Sequence, residues 1–390
     1  MIKVSSNSFF NAQSSSLFTQ DVAQQAQLFH QKIPGYSPTP LTSLPNLAKS
    51  LGLKSILVKD ESYRFGLNAF KVLGGSYALG RLLAEKLNVP ISEIDFKTVA
   101  SKLEAPMVFI TATAGNHGTG VAWAAREMGQ KAVVYMPKGG AQAKVDRIRS
   151  LGAECIVTDV NYDDTVRTAK QIAQQNNWQL VQDTAWDGYE QIPTWISQGY
   201  MTMASEAHTQ LGDQKPTHII LQAGVGAMAG GVLGYYADTL GADNFDTIII
   251  EPENAECIYL SGTSADGEIK AIGGALNSIM SGLACGEPNP ITWPILKNCS
   301  KHFVAVSDNI TATGMRVLAS PLRGDPAIIS GESGAISLGL LYALSQSEKG
   351  LEQAKALGLN KDSVVLLFSC EGNNNPAGYQ DIVWNGQYQL

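Results

Sequence analysis

From about residue 55 onward, short β-branched runs alternate with longer amphipathic stretches, and this restricts the chain to repeated βαβ units around parallel sheet. SILVKD (55–60) reads as a strand and Ala69 to Leu87 as a helix. MVFITAT (107–113) leads into a helix from Asn116 to Met128. KAVVYMP, a helix over Gln142 to Leu151, ECIVTD, a helix through Thr165 to Asn176, WQLVQD, a helix around Ile192 to Leu211, THIILQAG, another helix, DTIIIEPE and SVVLLFSC complete the series. At least seven strands result, which fit two doubly wound α/β domains more comfortably than one. The stretch from about Pro252 to Asn298 is rich in Gly, Pro and small polar residues; an irregular segment of that length inside a folded chain usually carries function.

Composition narrows the function classes. With 390 residues, 44% hydrophobic and 16% charged, the chain can build one large or two medium-sized cores. A net charge of −7 and the lack of a basic stripe argue against a nucleic-acid partner. The five cysteines are scattered, with no CxxC pair and no histidines at ligand spacing, so no metal site is expected and the thiols read as reduced. The opening MIKVSSNSFFNAQSSSLF has no continuous apolar segment, and no run of ~18 apolar residues occurs. A cytoplasmic location with no membrane partner is the expectation.

Ligands in open parallel sheets gather at the carboxyl ends of strands. After THIIL comes Gln222-Ala-Gly-Val-Gly-Ala-Met-Ala-Gly-Gly231, where Gly224, Val225, Gly226, Ala227 and Met228 place successive N–H groups at a helix start, a geometry suited to a phosphate. The same loop can be taken as a loose dinucleotide fingerprint with Glu251 as the ribose acid, although its spacing is GxGxxxG. A second loop, Thr111-Ala-Thr-Ala-Gly-Asn-His-Gly118, also joins a strand to a helix. Thr113, Ala114, Gly115 and the helix-start amides can hold a carboxylate, Asn116 offers an amide to a ring oxygen, and His117 alone reads as a satisfied structural histidine.

Lys71 lies in the apolar, glycine-flanked run FGLNAFKVLGG, where a desolvated amine would be nucleophilic. A lysine nucleophile, a phosphate cradle and a carboxylate-and-amide loop together are what a pyridoxal phosphate enzyme needs. Near the end, Ser369 in LLFSCEG adds a strand-end hydroxyl that can meet a pyridine nitrogen.

FGLNAFKVLGG, TATAGNHGTGVAW, VQDTAWDGYEQIPTWISQGYMTM, LQAGVGAMAGGV, SGLACGEPNP, SGESGA and SCEGNNNP resemble the tryptophan synthase β superfamily of fold type II pyridoxal phosphate enzymes, and within it the diaminopropionate ammonia-lyases. These motifs run from about residue 30 to 380. The resemblance implies two doubly wound parallel-sheet domains with the active site between them: a large cofactor-binding domain of residues 1–73 plus 196–390 and a smaller mobile one of 74–195. It implies a homodimer with Lys71 as the Schiff-base lysine, residues Gly224 to Met228 on the phosphate, Asn116 at the ring oxygen, and Ser369 or its neighbour Cys370 at the ring nitrogen. Thr113, Ala114, Gly115, His117 and Asp183 would face the substrate, with Asp183 catalytic beside Lys71.

The implied chemistry is α,β-elimination from 2,3-diaminopropionate to pyruvate and two ammonia molecules. One position departs from the family pattern T-A-T-D-G-N-H-G, whose aspartate takes the Cα proton of the D-isomer. Here it is Ala114, and a methyl cannot abstract a proton, so the L-isomer is favoured. The alanine also makes the loop similar to that of serine and threonine dehydratases, which lack the QDTAWDGY block. A non-catalytic cofactor-binding homologue and a nicotinamide oxidoreductase are the alternatives of other classes.

Overall fold

A computed structural model of the chain describes residues 1–113, 115–139 and 142–390. Eleven strands occur among them: β1 (Ile2–Ser6), β2 (Leu41–Ser43), β3 (Ser55–Asp60), β4 (Val108–Ala112), β5 (Lys131–Met136), β6 (Glu154–Val157), β7 (Gln179–Leu180), β8 (His218–Gln222), β9 (Asp246–Pro252), β10 (His302–Val306) and β11 (Val364–Ser369). The chain forms two compact units. One comprises Met1–Gln20, Pro38–Ala69 and Met203–Leu390, the other Asp21–Ser37 and Phe70–Thr202.

The larger unit holds a seven-stranded sheet of order β1-β10-β9-β8-β11-β3-β2. Its inner strands are all parallel, whereas β1 and β2 run antiparallel along the two edges. Every residue of β8, β10 and β11 is buried, which is why THIILQAG and SVVLLFSC read as unbroken apolar runs and not as alternating ones; β10 has the same character but was not picked out in the sequence. Ile220, Ile248, Val304 and Leu367 from the sheet share one core with Ile336 and Leu340 of the helix Ile336–Leu344. β8 and β11 are neighbours, with Leu367 opposite Ile220, and Gln222 Nε2 donates to Phe368 O at 2.7 Å. The glycine loop after β8 and Ser369 at the end of β11 therefore emerge at the same edge of the sheet.

The smaller unit has a four-stranded, all-parallel sheet of order β6-β5-β4-β7. WQLVQD supplies only two residues to β7, because the Gln182 side chain takes over where the strand would continue. Ala112 N–H donates to its Oε1 at 3.0 Å, and its Nε2 donates to Ala112 O at 2.8 Å. The residue after this clasp is Asp183.

The helix Lys71–Leu87 starts two residues later than the sequence pattern suggests, since Ala69 is extended and forms a bridge with Glu371. Glycines let its first turns meet two other helices closely. A Cβ on Gly120 would lie 2.9 Å from Val72 N, and one on Gly199 only 2.5 Å from Leu73 O. Residues 21–37 join this unit through His30, which is fully buried and bonds Thr202 Oγ1 at 2.7 Å and Leu73 O at 2.9 Å. Between Pro252 and Asn298 two short helices form, Cys257–Thr263 and Trp293–Cys299, and residues 264–292 between them are irregular.

Candidate active site

Lys71 is the first residue of its helix, and its ammonium lies 2.6 Å from Asp183 Oδ2. The lysine side chain is 24% exposed, so it is ion-paired and partly solvated, in place of the lone desolvated amine that its apolar flanks suggest. Asp183 follows the Gln182 clasp, which fixes the backbone from which its carboxylate projects. Burial opposes its charge, yet His117 and Lys71 together hold this carboxyl well below the usual carboxylate range.

His117 sits in the first turn of the helix Asn116–Glu127, buried, with Nε2 at 2.8 Å from Val181 O and Nδ1 at 3.8 Å from Asp183 Oδ2. The carbonyl can only accept, so Nε2 carries a proton. Burial lowers the His117 pKa against the opposing pull of the Asp183 carboxylate. Tyr200, which the sequence reading did not single out, packs edge-on against Phe70 with centroids 4.7 Å apart. Its buried hydroxyl has no hydrogen-bond partner in the structure, and burial raises its pKa while the charges of Lys71 and Asp183 act on it from nearby.

Thr113 directly follows β4, buried, and its Oγ1 accepts from Gly115 N at 3.0 Å. Gly115 caps the helix with φ of +157°, a conformation that leaves the first-turn amides unused within the helix. Asn116 is its first residue. Ala114 lies outside the described residues.

In the larger unit, the segment Gly224–Met228 runs into the helix Ala227–Leu240, with Gly226 at φ +92° as its N-cap. The same glycines have packed backs: a Cβ on Gly224 would meet Cys285 Sγ at 3.1 Å and Gly282 O at 3.2 Å, and one on Gly226 would meet Leu296 Cδ1 at 2.8 Å. A bare backbone, packed behind and opening a helix, is an anion cradle that any Cβ would disturb. At the end of β11, Ser369 Oγ donates to Ser330 Oγ at 2.8 Å and approaches Glu371 O at 3.4 Å. Cys370 is buried beside it.

Just upstream of Lys71 the larger unit contains a buried ionic cluster that the sequence did not reveal. Glu206 receives Lys59 Nζ at 2.7 Å and both terminal nitrogens of Arg64 at 2.8 Å, and Arg64 also binds Glu61. Its four charges cancel, and its bidentate geometry holds the turn Glu61–Gly66, in which Phe65 adopts φ of +49°. Arg64 and Glu206 are 142 residues apart in sequence, so no local pattern could signal the pair.

The family model for pyridoxal-phosphate dependent enzymes matches residues 33–369. Diaminopropionate ammonia-lyase of Escherichia coli K12 is 54% identical over 391 aligned residues, covering 100% of this chain and 98% of the relative. The chain belongs to the diaminopropionate ammonia-lyase family. Two crystal structures of the E. coli protein are also similar: one in complex with D-serine (TM-score 0.95, 53% identity) and one with an aminoacrylate-PLP azomethine reaction intermediate (TM-score 0.93, 54% identity). Each covers 100% of this chain and 98% of the other. The protein is thus a fold type II enzyme, and its cofactor is pyridoxal phosphate. Among the described residues, no helix is long and apolar enough to cross a membrane.

For a member of this family the nicotinamide alternative is overturned, and Glu251 shows why its position misled. Its carboxylate is buried and engaged within the protein, accepting from Ile258 N at 2.9 Å and Tyr259 N at 2.7 Å at the start of a short helix. Burial pushes its pKa up to about 8 against these hydrogen bonds. A carboxyl raised in the folded state binds its proton more tightly there than in the unfolded chain. The stability this provides is complete below pH ~4.3 and is lost as pH rises toward 8. Thermal unfolding should therefore show a falling midpoint between those limits, and Glu251→Gln should flatten that slope. An unchanged slope would place Glu251 in the charged form throughout.

Proposed function

We propose that this enzyme eliminates ammonia from L-2,3-diaminopropionate, yielding 2-aminoacrylate, which takes up water to give pyruvate and a second ammonia. The observation that carries this reading is the 2.6 Å pair of Lys71 with Asp183 inside the family's QDTAWDGY block. Pyridoxal phosphate, when bound, supplies the aldehyde that joins the substrate amine and the ring that takes up the electron pair left at Cα.

The residues divide the remaining work. Lys71 Nζ holds the cofactor in the resting enzyme and receives the Cα proton once freed. Asp183 stabilises the β-ammonium before it leaves as neutral ammonia, and it can do so at neutral pH because its carboxyl stays ionised. His117 flanks the same Asp183 oxygen that Lys71 meets, with Nε2 tied to Val181 O. Thr113, Gly115 and the first amides of the helix Asn116–Glu127 take the substrate carboxylate, and Asn116 the ring oxygen.

Gly224, Val225, Gly226, Ala227 and Met228 hold the phosphate. At the ring nitrogen the partner is Ser369 or its neighbour Cys370, which lie together at the end of β11. We read the enzyme as a cytoplasmic homodimer, in keeping with its family resemblance.

The L-preference rests on Ala114. The E. coli relative has been crystallised with D-serine, and a chain without a carboxyl at this position has no acid to serve the second face of Cα. Turnover of L-diaminopropionate should exceed that of the D-isomer by at least about 10²-fold, the usual worth of a positioned base. Ala114→Asp should raise D-isomer turnover. A pyruvate-coupled assay with both enantiomers, serine and threonine tests the substrate and the stereochemistry together. Faster turnover of serine than of L-diaminopropionate would make the enzyme a dehydratase.

A further inference from the structure

The QDTAWDGY block does more than carry Asp183. Its second half, Trp186-Asp187-Gly188-Tyr189, is a tight turn closed by Tyr189 N to Trp186 O at 2.8 Å, with Gly188 at φ +79°. The turn stacks the Trp186 and Tyr189 rings 4.3 Å apart and 17° from parallel. Beside it the helix Tyr162–Asn176 ends at Asn177, left-handed at φ +54°, followed at once by Trp178. Between the turn and the helix end lies a recess of about 470 Å³, lined by Lys170, Asn177, Trp178, Trp186, Asp187 and Tyr189 among others.

Two features of this recess favour positive charge. The aromatic faces offer their negative quadrupole, and Asp187 brings an exposed carboxylate to the rim. One side chain already demonstrates the preference: the ammonium of Lys170 lies 5.0 Å from the centroid of the Trp186 ring. It reaches the aromatic face from the same helix, as a tethered ligand would.

We propose that this recess binds a small organic ammonium ion, which takes the place of the Lys170 amine on Trp186. Alkali cations are poor competitors, because two stacked rings and one exposed carboxylate supply too few oxygen ligands to replace a hydration shell. Occupancy is coupled to the reaction centre by hydrogen bonds within the same unit. The Tyr189 hydroxyl donates to Leu180 O at 2.9 Å and accepts from Gln182 N at 2.8 Å, and Gln182 immediately precedes Asp183. A ligand that shifts the Tyr189 ring shifts the backbone carrying the partner of Lys71.

The site stands independently of the identity of the amino-acid substrate, and its test reads binding directly. The holoenzyme is titrated with tetramethylammonium chloride, followed by intrinsic tryptophan fluorescence, with sodium chloride at equal ionic strength as the control. Saturable binding is expected with the organic ion alone. Lys170→Ala removes the internal competitor and should tighten it about three- to tenfold, whereas Asp187→Asn, which leaves the packing intact, should weaken it by about the same factor. Weaker binding in Lys170→Ala, no change in Asp187→Asn, or an equal response to sodium would overturn the proposal. Tyr189→Phe should bind the probe as the wild type does, and the at least twofold change in KM that saturating probe causes in the wild type should vanish. A wild-type KM that ignores the probe would overturn the coupling to Asp183.

Discussion

Lys71→Ala is expected to lower turnover of L-diaminopropionate by at least about 10⁴-fold and to remove the visible absorbance of the lysine-bound cofactor. The size of the effect follows from the number of tasks given to one nitrogen. Lys71 Nζ anchors the cofactor, and after release it is the base nearest to a carboxylate able to manage the leaving ammonium. No other lysine has an ion pair with Asp183 among those the structure records. Removing it also leaves the Asp183 carboxylate without its closest cation, which costs about 1–3 kcal/mol of stability. Circular dichroism should therefore show a folded but less stable protein. Undiminished turnover in that folded variant would remove Lys71 from the mechanism.

Asp183→Asn carries the second largest effect, and its diagnostic value lies in selectivity. The substitution keeps shape and removes the charge. It should lower kcat/KM for L-diaminopropionate by about 10²- to 10³-fold and that for serine considerably less, because only the first substrate carries a β-ammonium. Some loss on serine is expected too, since the Lys71 ammonium loses its 2.6 Å partner.

The pH dependence adds a sign. A carboxyl held below its usual range stays ionised through neutral and mildly acidic pH, and its contribution is lost only as pH falls through that depressed folded value. The acid limb of the wild-type profile should therefore persist in Asp183→Asn above pH ~4. Equal losses on both substrates would make Asp183 a structural residue.

The parallel architecture was legible in the sequence because most of its strands are short, largely buried apolar runs. THIILQAG, DTIIIEPE and SVVLLFSC stand out in this way, and β8, β9 and β11 fall within them. Three strands went unread, among them β10, although every residue of it is buried. β1 is a half-exposed antiparallel edge strand and β2 has only three residues. WQLVQD misled in the opposite direction, since β-propensity does not register a glutamine side chain that replaces a strand's own hydrogen bonds.

At the candidate site, the sequence exposed residues whose role depends on local setting: Lys71 at a helix start, the glycine loop after β8, and the Thr113–Gly118 turn. Partnerships were not visible. Lys71 and Asp183 are 112 residues apart, and Tyr200 reaches Phe70 from a different helix. The Ser330 hydroxyl that Ser369 meets at the end of β11 is 39 residues away in sequence.

Borohydride reduction of the yellow holoenzyme, followed by proteolysis and mass mapping of the cofactor-bearing peptide, tests the central assignment most directly. A single modified residue, Lys71, is expected in the peptide that contains FGLNAFKVLGG. Modification of a different lysine, or of none, would contradict it.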